Sequence, residues 1–174
     1  MPDTPPTSSD AQPVQRLTLA WAFRTPYRAV AYDLGSGLMR PAPGTWGTAL
    51  GWLLWALVVS RLPDAGIAAV LLLSFAYGCW ACHRVGKELG RADDSAMVWD
   101  EIVAFWLVLW LMPEEPVIQA VAFIVFRFFD IAKPPPIRYF DKKLKNGLGV
   151  MWDDLLAAAY SLLVLAVLVR LEIL

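Results

Sequence analysis

Carboxylates and cations recur along this chain in a pattern suited to handling phosphate. Asp100 and Glu101 are adjacent, and Asp153 and Asp154 repeat the pair. Between the pairs, Phe126–Asp141 reads FRFFDIAKPPPIRYFD, which spaces Arg127, Asp130 and Lys133 three apart. On a helix that spacing puts the three on one face. Pro134 should end such a helix, because proline disfavours the α conformation in the residue before it. Asp100, Glu101, Asp130, Asp153 and Asp154 offer hard oxygen ligands of the kind Mg2+ takes while keeping several waters. Arg127 and Lys133, with Arg40 as a further candidate, would neutralise phosphate oxygens beside the metal.

A glycine- and proline-rich stretch, Gly35–Gly47 (GSGLMRPAPGTWG), reads as a structured loop feeding a helix, with Thr45 or Thr48 as its cap. Backbone N–H groups around Gly44 and Thr45 could then meet an anion, although turn chemistry alone also explains the pattern.

The plainer readings differ in reach. One acid at a helix start is favoured by the helix dipole, but two adjacent acids at a membrane entry exceed what capping needs. Neighbours point about 100° apart on a helix, so both serve one site only if it is broad. Lys142, Lys143 and Lys145 suit a surface attracted to anionic headgroups. His83, the one histidine, reads as structural, and Cys79 and Cys82 as two buried helix residues rather than a redox pair.

These groups need elements to hold them, and the composition says which. The chain has 174 residues, 58% hydrophobic, with 9 Trp and a mean hydropathy of +0.51. That is too apolar for an ordinary soluble domain and points to membrane helices. A net charge of −1 gives no reason to expect nucleic acid. Residues 1–14 read as a disordered tail without signal-peptide features, and residues 15–174 as a single helical membrane domain. Gln15–Tyr32, with its arginines and aromatics, reads as an amphipathic helix on the membrane surface.

Apolar segments follow at Ala49–Leu62, Ala65–Cys82, Met97–Met112, Val117–Phe129 and Leu155–Leu174. The expected fold is therefore all-α, with four or five apolar helices. Several are shorter than the roughly 20 residues of a full span. The tight links Arg61–Asp64 and Pro113–Pro116 predict two antiparallel hairpins. If the five segments alternate, all of the 15 lysines and arginines except Arg61 and Arg170 share one face, which would be cytoplasmic. The unusual acids gather on that same face.

Several phosphatase chemistries are excluded. There is no DxDx[TV] run, neither cysteine has an arginine six positions on, and one histidine cannot supply two-histidine chemistry. A competing reading is a small ion-coupled transporter using intramembrane carboxylates. A pathway, however, should carry polar groups through the membrane depth, and Ala49–Val59 and Ala65–Ser74 hold no charge. A scaffold protein would leave the paired acids unexplained.

Four blocks, in order, resemble the phosphatidylglycerophosphatase A family: GSGLMRPAPGTWGT (Gly35–Thr48), VWDE (Val98–Glu101), FRFFDIAKPPPI (Phe126–Ile137) and GLGVMWDDLLAA (Gly147–Ala158). The resemblance runs from about Asp33 to the end of the chain. Pro135 departs from the expected KPxP with a variable middle residue, and Arg91–Ser95 is a weaker acidic lead-in than the family pattern. The resemblance implies an all-helical bacterial inner-membrane enzyme with its site facing the cytoplasm. It further implies Mg2+-dependent removal of the terminal phosphate of phosphatidylglycerophosphate. Joined to the residues above, Asp100, Glu101, Asp130 and Asp153 or Asp154 would hold metal, while Lys133 and Arg127, helped by Gly44 and Thr45, would bind phosphate. Asp100, Glu101, Asp130, Lys133 and Asp154 are the expected catalytic set.

Overall fold

The computed structural model describes residues 17–173, so the tail expected at residues 1–14 lies outside the described residues. The described chain is helical throughout, without strands. Two short helices, α1 (Leu19–Ala22) and α2 (Pro26–Ala31), precede α3 (Pro43–Leu57), α4 (Asp64–Leu89), α5 (Trp99–Leu111), α6 (Pro116–Ala132), α7 (Ile137–Lys143) and α8 (Gly147–Arg170).

The N-terminal region is two helices, not the single surface helix expected. Pro26 holds Thr25 in an extended conformation (φ −142°, ψ 146°), which breaks the helix there. Trp21 and Tyr32 are buried within the protein, while Phe23 stays exposed. Arg28 explains part of this: its guanidinium stacks 4.3 Å from the Trp21 ring and its Nε donates to Glu88 of α4 at 2.8 Å.

The loop between α2 and α3 is shorter than the sequence suggested. Asp33, Leu34 and Gly35 turn through left-handed conformations (φ 42°, 51° and 101°). The helix α3 then begins at Pro43, whose fixed φ suits a first helical position. Thr45 and Thr48 therefore lie inside α3 and cap nothing.

The helix α5 is the centre of the molecule. It packs against α3, α4, α6 and α8, and Ile102, Val103, Phe105 and Leu109 are fully buried. Phe105 meets the rings of Trp52, Phe123 and Phe126 at 5.6–6.4 Å between centroids. Truncating such a ring to alanine costs about 3–5 kcal/mol.

The expected hairpin of the first two apolar segments is not a packed pair: α3 packs on α5 instead of α4. The cause lies in the glycines of α3. A Cβ at Gly47 would come within 2.7 Å of Val98, and one at Gly51 within 3.0 Å of Ile102, so only a bare backbone lets α5 approach this closely. The Trp106 indole N–H then reaches the Gly51 carbonyl at 2.7 Å.

Helix ends set where the charged groups fall. Gly90 takes a left-handed conformation after α4, and the Arg91 N–H closes onto the Gly86 carbonyl at 3.0 Å. Lys133 ends α6 in a left-handed conformation (φ 42°), outside the helical region that Pro134 disfavours. The Asn146 side chain accepts from the Gly149 N–H at 2.9 Å and starts α8 at Gly147. Asp153 and Asp154 consequently lie two turns into α8, not at its start. By length and composition two helices, α4 (26 residues) and α8 (24 residues), can cross a membrane. The helices α3, α5 and α6, with 15, 13 and 17 residues, are shorter than a full span of roughly 20.

Candidate functional site

One cavity of about 330 Å³ collects the charged groups. The first turn of α3 brings Gly44 and Thr45 to it, and the first turn of α5 brings Asp100 and Glu101. The last turns of α6 bring Arg127 and Asp130, with Lys133 at the cap; α8 brings Asp153 and Asp154. All nine sequence-predicted residues line this space. Arg40 is exposed and stands outside its lining.

The pairings tie five helices together. Arg127 donates to Glu101 across from α6 to α5, and its Nη1 stands 2.6 Å from Asp130 Oδ2, one turn along α6. The Thr48 hydroxyl of α3 lies 2.9 Å from Glu101 Oε2 and 2.8 Å from the Gly44 carbonyl. Lys133 donates to Asp153 of α8 and, at 3.2 Å, to Asp141 of α7. Burial alone would lower the Lys133 ammonium, but Asp153, Asp154 and Asp141 outweigh it and hold Lys133 above its usual range. Lys133 is therefore a fixed positive charge. Neither Asp100 nor Glu101 acts as an N-cap side chain, since α5 has no side-chain cap.

Residues 29–169 match the family described as Phosphatidylglycerophosphatase A. The chain is also 40% identical over 159 residues to the Haemophilus influenzae protein named phosphatidylglycerophosphatase A, covering 90% of this chain and 94% of that one. The chain belongs to the phosphatidylglycerophosphatase A family. The Escherichia coli protein of the same name is 35% identical over 137 residues, with 78% and 79% covered. A Bacteroides thetaiotaomicron protein, named provisionally as a phosphatidylinositol-3-phosphatase, is 38% identical over 148 residues, with 79% and 90% covered. No solved structure matches the chain.

Among the described residues of this family member, no three carboxylates converge on one point in the manner of a formed metal centre. Three carboxylate oxygens around the cavity are nevertheless buried without a hydrogen-bond partner: Asp100 Oδ1, Asp153 Oδ1 and Asp154 Oδ2. Buried acceptors normally find donors. Unpartnered hard oxygens are of the type a divalent cation takes, and Mg2+ needs few protein ligands because it keeps waters.

Three contributors were not among the site residues expected from the sequence. Asp93 lines the cavity, its carboxyl pushed up by burial against the opposing pull of Lys133. Thr48 and Asp141 orient Glu101 and Lys133. Thr48 had a readable cue, since it lies one turn beyond Gly44. Asp93 and Asp141 had none beyond their charge, because a loop and a separate short helix carry them in. Cys79 and Cys82 are free thiols within α4, Cys82 buried as expected and Cys79 only half-buried, while His83 is exposed and lies away from the cavity.

Proposed function

We infer that this protein is a lipid phosphatase that hydrolyses phosphatidylglycerophosphate to phosphatidylglycerol and phosphate at this cavity. The observation that carries the reading is the gathering of Lys133, Arg127 and seven carboxylates against the start of α3, in a member of the phosphatidylglycerophosphatase A family.

The chemistry divides among the residues. Lys133 and the Gly44 amide face the phosphate oxygens, and Arg127 holds Glu101 and Asp130 in place while its charge adds to theirs. One of the cavity carboxylates takes the proton of the attacking water. The water oxygen bonds to phosphorus, the bond from phosphorus to the glycerol oxygen breaks, and that oxygen takes up a proton. Asp100, Asp153 and Asp154 would hold Mg2+, with Glu101 and Asp130 beside it; the ion, when bound, neutralises phosphate oxygens and makes a water more acidic.

The membrane setting is part of the proposal. The helices α4 and α8 cross the bacterial inner membrane, and the exposed Leu72, Ile124, Ile131 and Leu163 face lipid. The cavity faces the cytoplasm, where the positive-inside rule puts most of the lysines and arginines. No observation favours the transporter: the charged groups gather at one end of the helices.

The test is phosphate release by purified protein in detergent, with Mg2+ and with EDTA. Phosphatidylglycerophosphate, phosphatidic acid and phosphatidylinositol 3-phosphate are the three substrates, the last because of the Bacteroides relative's name. Metal-dependent release from the first alone is expected. Release from all three would keep the chemistry and broaden the substrate, and none from well-folded protein would overturn the reading.

A further inference from the structure

Of the two cations that line the cavity, Arg127 lies within α6 and Lys133 just beyond its end. The chain then runs through Pro134, Pro135 and Pro136, which have no backbone N–H to give. A turn of this kind cannot be held by its own donors, so its three carbonyls show what holds it. The Ile137 N–H donates to the Pro134 carbonyl at 2.8 Å. The Tyr139 and Phe140 N–H groups donate to the Pro136 carbonyl at 2.9 and 3.2 Å. Those bonds start α7. The Pro135 carbonyl takes its donor from another helix: the Tyr160 hydroxyl of α8, at 2.9 Å.

Tyr160 also meets the chain on the other side of Lys133. Its ring lies 5.5 Å from that of Phe129, whose carbonyl accepts the Lys133 N–H at 2.9 Å. One side chain thus brackets Lys133 between residues 129 and 135. Asp153, which accepts from the Lys133 ammonium, stands two turns before Tyr160 on the same helix. The helix α8 therefore grips both the backbone and the head of this one lysine. The grip matters for two reasons. A left-handed backbone at a residue other than glycine, as at Lys133 (φ 42°), persists only where its surroundings impose it. A lysine head on a flexible four-carbon stem is also placed only as well as the backbone that carries it.

We propose that Tyr160 is a positioning residue for Lys133. It holds the proline turn so that the ammonium is already placed when the substrate phosphate arrives. The proposal rests on the phosphatase reading and adds to it a half-buried residue that does not line the cavity.

The experiment uses the full chain in detergent, with phosphatidylglycerophosphate and Mg2+. Tyr160→Phe removes the hydroxyl and keeps the ring on Phe129. Its kcat/KM should fall about threefold to tenfold, the size of one net hydrogen bond. In a K133M background the same change should alter kcat/KM by less than about twofold, because coupled residues do not add. In a T48V background, on the other side of the cavity, the full factor should return, because independent sites do add. A merely structural tyrosine would cost the same factor in all three backgrounds. That result, or an unchanged kcat/KM in Y160F, overturns the proposal.

A second readout needs no turnover. In hydrogen–deuterium exchange, the Lys133 and Ile137 amides of Y160F should exchange at least about fivefold faster than in the wild type, and those of α5 should not change. Unchanged exchange in the turn sinks the proposal, as does a rise spread over all the helices. Wild-type protein inactive on the lipid would instead remove the phosphatase reading, while the exchange would still decide whether Tyr160 holds the turn.

Discussion

The Thr48 hydroxyl of α3 lies 2.9 Å from the Glu101 carboxylate of α5, inside the layer where these helices approach most closely. Thr48 is fully buried, and Arg127 reaches the same carboxylate oxygen from α6. Glu101 is thus fixed from two sides before any substrate arrives, as a preorganised site requires. The glycines of α3 allow the approach, and the approach delivers the hydroxyl.

Replacing Thr48 by valine keeps the shape and removes one bond to a charged group. Such bonds contribute about 1.5–3 kcal/mol. The expected result is a fall in kcat of roughly tenfold to a hundredfold, with KM nearly unchanged and the helical circular dichroism retained. A fall in KM-controlled binding alone would show that Thr48 does not position Glu101 for the chemical step.

Gly44→Ala separates activity from stability. A Cβ there would fall inside the Glu101 carboxylate, which must swing away. The displaced carboxylate leaves Thr48 and Arg127, and alanine's gain in helix propensity of up to about 1 kcal/mol offsets that loss only in part. Turnover should drop at least a hundredfold while the melting temperature in detergent falls only modestly. A protein that melts earlier in proportion to its lost activity would contradict this account.

Asp33 gives a pH dependence outside the charged cavity. It is fully buried, with Oδ1 unpartnered and Oδ2 accepting from the Ser36 hydroxyl at 2.7 Å. Burial pushes its carboxyl up to about 6, with the Ser36 bond opposing. Between the ordinary carboxylate range and about 6, the folded chain holds more protons here than the unfolded one. Stability from this group is therefore greatest at low pH and falls as pH rises through about 6, by up to about 3 kcal/mol. Asp33→Asn keeps the acceptor, tolerates the left-handed backbone and removes the charge. The variant should melt higher than wild type at pH 8 and equally at pH 4, in a thermal scan across that range.

The sequence displayed the chemistry more clearly than the packing. Arg127, Asp130 and Lys133 share a face because helical periodicity is local, and Pro134 stops α6 for a local steric reason. The paired acids announced themselves because charge is costly beside apolar runs. The partner of α3 was not readable in the same way. A short link between two apolar segments suggested a hairpin, yet Gly47 and Gly51 direct α3 onto α5, a decision that depends on what a distant helix presents. The start of α8 was missed because Asn146 caps it at Gly147, two turns before the apolar run Leu155–Leu174 begins. Asp141 was invisible as a partner of Lys133 for the same reason: α7 folds back to bring it there.

The orphaned oxygens lead to a prediction about metal that does not depend on turnover. Asp154 Oδ2 is buried without a donor, and a buried acceptor lacking a partner is destabilising until something satisfies it. Asp154→Asn removes the carboxylate at nearly constant volume. Without divalent cation the variant should melt at or above the wild-type temperature. Saturating Mg2+ should raise the wild-type melting point, since a ligand at a hundred times its Kd adds about 2.7 kcal/mol to stability, and the variant should lose most of that gain. Mn2+ titration followed by electron paramagnetic resonance should show the same loss, an affinity at least tenfold weaker. Equal Mg2+ stabilisation of both proteins would remove Asp154 from the metal set and leave Asp100 and Asp153 to account for it.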